Sequence, residues 1–350
     1  MTHSLSILKM NTPPPSQNVA PLSDKLFDSH GRQIRDLRLS VTDRCNFRCI
    51  YCTEPDVKYL PKSDLLTLDE YVRVVKIALS LGIDKLRITG GEPTLYPQLN
   101  QFIEKVGQMG LRDIALTTNG SMLSRELAQR WKDSGLHRVT VSLDTLKPSR
   151  KDAITRSHTT LKDVIAAIDT VRDVGLTPVK VNAVILRGVN DDEVSDFARF
   201  AQEHEIDMRL IEFMALDARK NWKRDDVVTA AQMKRRIEQE FTLIRDDDTE
   251  SSTSMNYRFT SGGGRIGFIA SVSESFCHGC DRIRMMADGT VRPCLFSDDE
   301  WCIRSMLQMG ASDENLRTFF QDAAWAKSAG HGMDKTDFVR PKKTMSTIGG

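Results

Sequence analysis

Seven cysteines divide as three, three and one along the 350 residues, and the two triplets are where chemistry is concentrated. Cys45, Cys49 and Cys52 are spaced C-x3-C-x2-C, and Cys277, Cys280 and Cys294 are spaced C-x2-C-x13-C. An odd total without a secretory signal argues against a disulfide framework, and tight triplets argue for metal or iron–sulfur ligation. Three thiolates are one fewer than a closed zinc site takes. A 4Fe–4S cluster held by three cysteines keeps one iron open to another ligand. For the first triplet, spacing alone leaves a structural zinc with a fourth ligand from elsewhere as the competing reading. For the second, His278 lies inside the C-x2-C knuckle and would reach a shared metal only under strain. Cys302 follows Cys294 by eight residues and reads as a buried or incidental thiol.

Elements must bring these groups together. Residues 1–33 are polar, with Pro13-Pro14-Pro15 and Pro21, and read as a flexible leader. Residues 1–24 hold no apolar run and Lys9 as their single Lys or Arg, so neither a secretory signal nor a transit peptide is expected. From Leu37 short β-like runs (36–41, 84–89, 113–118, 137–143, 178–185, 207–213) alternate with helical runs near 68–81, 97–109, 123–134, 160–174 and 192–204. That alternation predicts an α/β fold with a parallel sheet and right-handed crossovers, an open partial (β/α)6 TIM-like barrel over 34–221. Residues 222–350 change rhythm: a helix near 229–240, strands near 265–271, 282–287 and 290–293, and helices near 301–309 and 312–328. They are read as a small C-terminal region carrying the second triplet.

The strands alternate unusually. Arg38 and Ser40 share a face; so do Lys85, Arg87 and Thr89; Thr140, Ser142 and Asp144; and Lys180 and Asn182. Helix-covered parallel strands normally read as apolar on both faces. A polar, cationic inner face predicts a lumen that holds a polar, anionic ligand. Simple alternation sets Arg209 with Ile211 and Phe213, so that strand is expected to bulge or shift register. The first triplet directly follows the first strand, at the end of the sheet where active sites lie. The next such loop reads Thr89-Gly90-Gly91-Glu92-Pro93. Its glycines let backbone approach a ligand, and Glu92 offers a carboxylate to an ammonium. Balanced charge, 49 Lys plus Arg against 48 Asp plus Glu, gives no global reason to expect nucleic-acid binding. No apolar run is long enough for a membrane helix, so a cytoplasmic location is expected.

C-x3-C-x2-C after the first strand, with Gly90-Gly91-Glu92-Pro93 after the second, resembles the radical S-adenosylmethionine enzymes. The resemblance implies a 4Fe–4S cluster at Cys45, Cys49 and Cys52, with S-adenosylmethionine as co-substrate on the fourth iron, cleaved reductively to a 5′-deoxyadenosyl radical. Residues 276–284, 287–289 and 292–296 narrow the likeness, with 36–44, 117–120, 142–144, 187–190, 211–214 and 348–350. They resemble the family of that superfamily which cyclises GTP between C3′ and C8 at the start of molybdenum cofactor biosynthesis. The likeness runs from residue 36 to 350.

This narrower resemblance implies a second 4Fe–4S cluster at Cys277, Cys280 and Cys294 whose open iron takes the purine of GTP. It assigns the triphosphate to Lys85, Arg87, Lys180 and Arg209. Arg38, Arg282 and Arg284 match active-site arginines, and Gly349 and Gly350 a tail that orients them. S-adenosylmethionine contacts map onto Gly90, Gly91, Glu92, Thr118, Ser142 and Met214, whereas Asn119 and Asp144 read better as turn or cap residues. Implied partners are GTP, a one-electron donor of flavodoxin or ferredoxin type, and a downstream cyclic pyranopterin monophosphate synthase. A homodimer is the candidate assembly; no nucleic-acid or membrane partner is expected. Competing readings are a peptide- or small-molecule-modifying radical enzyme with an auxiliary cluster, and a non-catalytic iron–sulfur nucleotide-binding protein.

Overall fold

The computed structural model describes residues 20, 23–247, 251–333, 335 and 338–349. Gly350 and most of the leader, residues 1–19, 21 and 22, lie outside them. Six parallel strands begin the chain: β1 (Asp36–Ser40), β2 (Lys85–Thr89), β3 (Asp113–Thr118), β4 (Arg138–Ser142), β5 (Lys180–Ile185) and β6 (Asp207–Glu212). The helices between them are α1 (Leu68–Ser80), α2 (Leu99–Gly107), α3 (Arg125–Asp133), α4 (Pro148–Thr155), α5 (Leu161–Asp173) and α6 (Val194–Glu203).

Local sequence explains the helix starts. Thr67 and Thr160 close capping boxes with Glu70 and Asp163, each cap contributing about 1 kcal/mol. The expected strands and helices all form. The extra helix, α4, has no clean apolar stripe, but Pro148 at its first turn was a readable start signal.

Beyond residue 222 come α7 (Ala230–Ile237), β7 (Leu243–Arg245), β8 (Met255–Phe259), β9 (Arg265–Ile269), β10 (Arg282–Met285), β11 (Thr290–Arg292) and β12 (Trp301–Cys302). The helices α8 (Arg304–Gln308), α9 (Asp313–Trp325) and α10 (Met345–Ile348) end the chain. These later strands join the sheet of the earlier ones. Its order is β12-β11-β10-β1-β2-β3-β4-β5-β6-β9-β8-β7. Both β10 against β1 and β9 against β6 are parallel. The TIM-like partial barrel therefore carries eight parallel strands, the outer two supplied by the C-terminal region, with antiparallel strands beyond each.

The face pattern follows the sequence. Leu86, Ile88, Val181, Met208 and Leu210 are buried in the core under the helices, while Lys85, Arg87, Lys180, Asn182 and Arg209 face inward, half-buried. The bulge expected for Arg209 is absent. Register runs unbroken from Asn182 to Arg209 to Gly267, and Ile211 itself lines the lumen. Gly267, beside Arg209, admits the neighbouring Ser254 instead: an added Cβ there would lie 2.3 Å from Ser254 Oγ. The expected leader also ends early. Leu26 and Ile34 are fully buried, and Phe27 bridges Gln33. Two apolar side chains at its ends, Leu26 and Ile34, tie 26–34 to the core although the segment reads as polar.

Candidate active site

The loop after β1 carries the first triplet and is held from three sides. Backbone N–H groups of Arg48 and Ile50 donate to the Thr155 and Ile154 carbonyls at the end of α4, at 2.8 and 2.9 Å. Arg48 Nη1 and the Tyr59 hydroxyl donate to the Cys45 carbonyl at 2.6 and 2.8 Å. The Gly90-Gly91-Glu92 turn zips onto the approach to Cys45: Gly91 N donates to Thr42 O and Glu92 N to Arg44 O, both at 2.7 Å. An added Cβ on Gly90 would lie 2.7 Å from Thr42 O, and one on Gly91 2.3 Å from Arg44 O. The close approach these glycines permit is thus to the cysteine loop's own backbone.

Glu92 is buried and its carboxylate accepts four hydrogen bonds. Thr94 N, Thr94 Oγ1 and Thr118 Oγ1 reach Oε1, and Asn119 N reaches Oε2. Burial still pushes its carboxyl up. Asn119 fills the expected turn role through Ser121 N and also donates to Asn46 beside Cys45. Asp144 does more than cap. It accepts from Val184 N at 2.9 Å and from the Tyr51 hydroxyl at 2.8 Å, inside the cysteine loop. Burial raises it to about 6. Tyr51, Tyr59 and Arg48 were not singled out from sequence; their position between and after the cysteines was the available signal.

The second triplet begins in a short 3-10 turn, Cys277–Gly279, and leads into β10. Arg282 Nε lies 3.4 Å from Cys280 Sγ, and its guanidinium sits over Phe276 at 5.1 Å. Burial alone would raise the Cys280 thiol; Arg282 and then Lys327 outweigh it and bring it to about 6. Arg32, inside the expected leader, pairs with Asp28 and donates to the carbonyls of Cys277, Ser328 and Ala329 at 2.6 to 2.8 Å. Its distance in sequence hid this contact.

All six of these cysteines line one cavity, together with Arg38, Arg87, Gly90, Gly91, Glu92, Thr118, Ser142, Arg209, Met214, Arg282 and Arg284. Lys85 and Lys180 stand at the first positions of β2 and β5, outside that lining. Lys85 donates to Asp281 at 3.0 Å. Burial, then Arg209 and Arg138, lower Lys180 to about 7. Arg138, also missed from sequence, is held by Asp113. Burial, then Arg284 and Arg87, push Arg38 down. Burial and Arg282 bring Arg284 to about 10. Nε of Arg38, Nε of Arg87 and Nη2 of Arg282 are buried without a hydrogen-bond partner, which suits a dense anion such as a triphosphate. Gly349 lies over Ser40, and its carbonyl accepts from Arg284 Nη1 at 3.3 Å.

The first triplet fits a cluster. Its cysteines are free thiols on one cavity wall. Burial raises all three, Cys45 to about 12, so ionising them together requires a metal's positive charge. Among the described residues no three His, Cys, Asp or Glu are grouped tightly enough for a single metal ion. No described helix is long and apolar enough to cross a membrane.

Residues 39–201 match the radical SAM superfamily, and residues 206–333 match Molybdenum Cofactor Synthesis C. A GTP 3′,8-cyclase of Streptomyces coelicolor is 46% identical over 330 residues, spanning 93% of this chain and 96% of the relative. One of Mycolicibacterium smegmatis is 40% identical over 339 residues, spanning 95% and 93%. Among solved structures, anSMEcpe with bound AdoMet has a TM-score of 0.58 at 13% identity, covering 88% of this chain and 89% of that one. Streptococcus suis SuiB has a TM-score of 0.58 at 12% identity, covering 87% and 69%. At such identities the two structures establish the fold alone.

Proposed function

From the premise that the chain belongs to the GTP 3′,8-cyclase family of the radical SAM superfamily, we propose that its single lumen aligns GTP between its two cysteine triplets. The enzyme is a radical SAM lyase. It converts GTP to (8S)-3′,8-cyclo-7,8-dihydroguanosine 5′-triphosphate, the first step of molybdenum cofactor biosynthesis. When bound, the 4Fe–4S cluster of the superfamily and S-adenosylmethionine supply the 5′-deoxyadenosyl radical that takes the hydrogen from C3′.

Cys45, Cys49 and Cys52 hold that first cluster. Glu92, fixed by Thr94, Thr118 and Asn119, and Gly90, Gly91, Ser142 and Met214 shape the S-adenosylmethionine side. Cys277, Cys280 and Cys294 hold a second 4Fe–4S cluster that receives the purine. Arg38, Arg87 and Arg282 direct unpartnered N–H groups at the triphosphate, with Lys85, Lys180 and Arg209 adding charge. Arg284 is oriented through the Gly349 carbonyl. A buried lumen keeps water from the substrate radical. The electron arrives from a flavodoxin or ferredoxin type donor, and the product passes to cyclic pyranopterin monophosphate synthase.

The observation that carries this reading is that both triplets line the same cavity as Arg38, Arg87, Arg209, Arg282 and Arg284. Anaerobic turnover of the iron-loaded protein with GTP, S-adenosylmethionine and dithionite tests it. Appearance of 5′-deoxyadenosine together with the cyclised nucleotide, both lost in Cys45→Ala, is expected. Deoxyadenosine without a GTP-dependent product would remove GTP as substrate.

A further inference from the structure

Of the ammonium groups the fold buries and the reaction above does not employ, one stands beside the second triplet. Lys327 follows α9 and is 3% exposed. Its Nζ donates to the Arg282 carbonyl at 2.7 Å and the Pro293 carbonyl at 2.6 Å. Among the described residues these two carbonyls are its partners, and no carboxylate pairs with it. A buried charge surrounded only by dipoles is costly unless an opposite charge stands nearby.

The anion is indicated by the bonds themselves. Arg282 lies two residues past Cys280, and Pro293 immediately precedes Cys294. Lys327 therefore spans the two backbone segments that carry two of the three thiols, and it lines the same cavity as all three. An iron–sulfur cluster on three thiolates is net anionic and gains a further negative charge when it takes up an electron. A fixed cation in a low-dielectric wall stabilises the reduced form more than the oxidised one. We infer that Lys327 is the counter-ion of the cluster at Cys277, Cys280 and Cys294 and holds its reduction potential up. The inference rests on the reading that this second cluster exists. The electron comes from an external low-potential reductant, and no bond or proton is exchanged.

The test is an EPR-monitored redox titration, with dithionite, of the full chain loaded with both clusters. It compares the parent with Lys327→Met, which keeps length and loses charge, and Lys327→Arg, which keeps charge. In Lys327→Met the reduced-to-oxidised ratio of the second cluster should fall at least tenfold, a negative shift of about 59 mV for a one-electron couple. The first cluster, an internal control, should not move, and Lys327→Arg should stay near the parent. An unchanged second midpoint in fully loaded Lys327→Met overturns the assignment, as does an equal shift of both clusters. If Lys327→Met takes up no second cluster, Lys327→Arg decides. Retained iron supports the counter-ion role, and lost iron overturns it in favour of a backbone brace. A parent chain that binds iron at the first triplet alone removes the second cluster, and the assignment falls with it.

Discussion

On the proposal that Lys180 serves the triphosphate, the affinity for GTP depends on pH in a way that can be worked out in advance. Burial, Arg209 and Arg138 bring the Lys180 ammonium down to about 7 in the ligand-free protein. A bound triphosphate favours the charged form, so above that value binding must take up a proton. The sign follows: affinity falls as pH rises. At about pH 9 roughly one Lys180 in a hundred is charged in the free protein, and at about pH 7.5 roughly one in four. Between them affinity drops about 25-fold, just under 2 kcal/mol. A terminal phosphate, with a second pKa of about 6, is ionised throughout this range, and Arg284, at about 10, titrates above it. The assay is anaerobic calorimetry of the loaded enzyme with GTP in two buffers of different ionisation enthalpy. Wild type should take up close to one proton at about pH 8.5, and Lys180→Met close to none, with a nearly flat affinity. Equal pH slopes for the two proteins would refute the reasoning.

Three further outcomes are expected. Cys45→Ala and Cys277→Ala should each lower iron from about eight to about four per chain, read by iron analysis, if each triplet holds one cluster as proposed. Gly349→Ala should cut turnover by about tenfold or more, since the new Cβ would lie 1.8 Å from Ser40 Oγ at a φ of +81° and would dislodge the carbonyl that Arg284 contacts. Circular dichroism should show the fold unchanged. Arg32→Ala should destabilise the protein by about 2 kcal/mol in urea titration, because the part-buried Cys277 carbonyl loses a charged donor and the buried Asp28 carboxylate loses its ion pair.

The sequence rendered the strands and the site unequally. Alternation within β2, β5 and their neighbours exposed the polar inner face directly, because side-chain direction in a strand has period two. The cysteine spacings exposed the ligand triplets for the same local reason. Where β9 and β10 attach was not legible. A short apolar strand carries no mark of the strand it will pair with, and these two lie after the change of rhythm. Arg32 and Lys327 were hidden similarly, since each acts on backbone carbonyls far away in sequence and a carbonyl has no residue-type signature. The glycines of the Gly90-Gly91 turn were legible as sites of close approach, but whether to ligand or to chain depended on Thr42 and Arg44 folding against them.

The position of β10 beside β1 has a consequence for biosynthesis. The first strand made emerges from the ribosome long before the partner that will cover its outer edge, and β6 waits likewise for β9. Until nearly the whole chain is synthesised, both flanks of the nascent parallel sheet present unpaired N–H and C=O groups, the template for pairing with other chains. Closing those flanks late also sets the proposed second cluster-binding segment, which begins just before β10, against the first only after the earlier strands are in register. The catalytic lumen cannot be completed before β10 is made, and a chain cut near residue 221 leaves both edges of a six-stranded sheet open to aggregation.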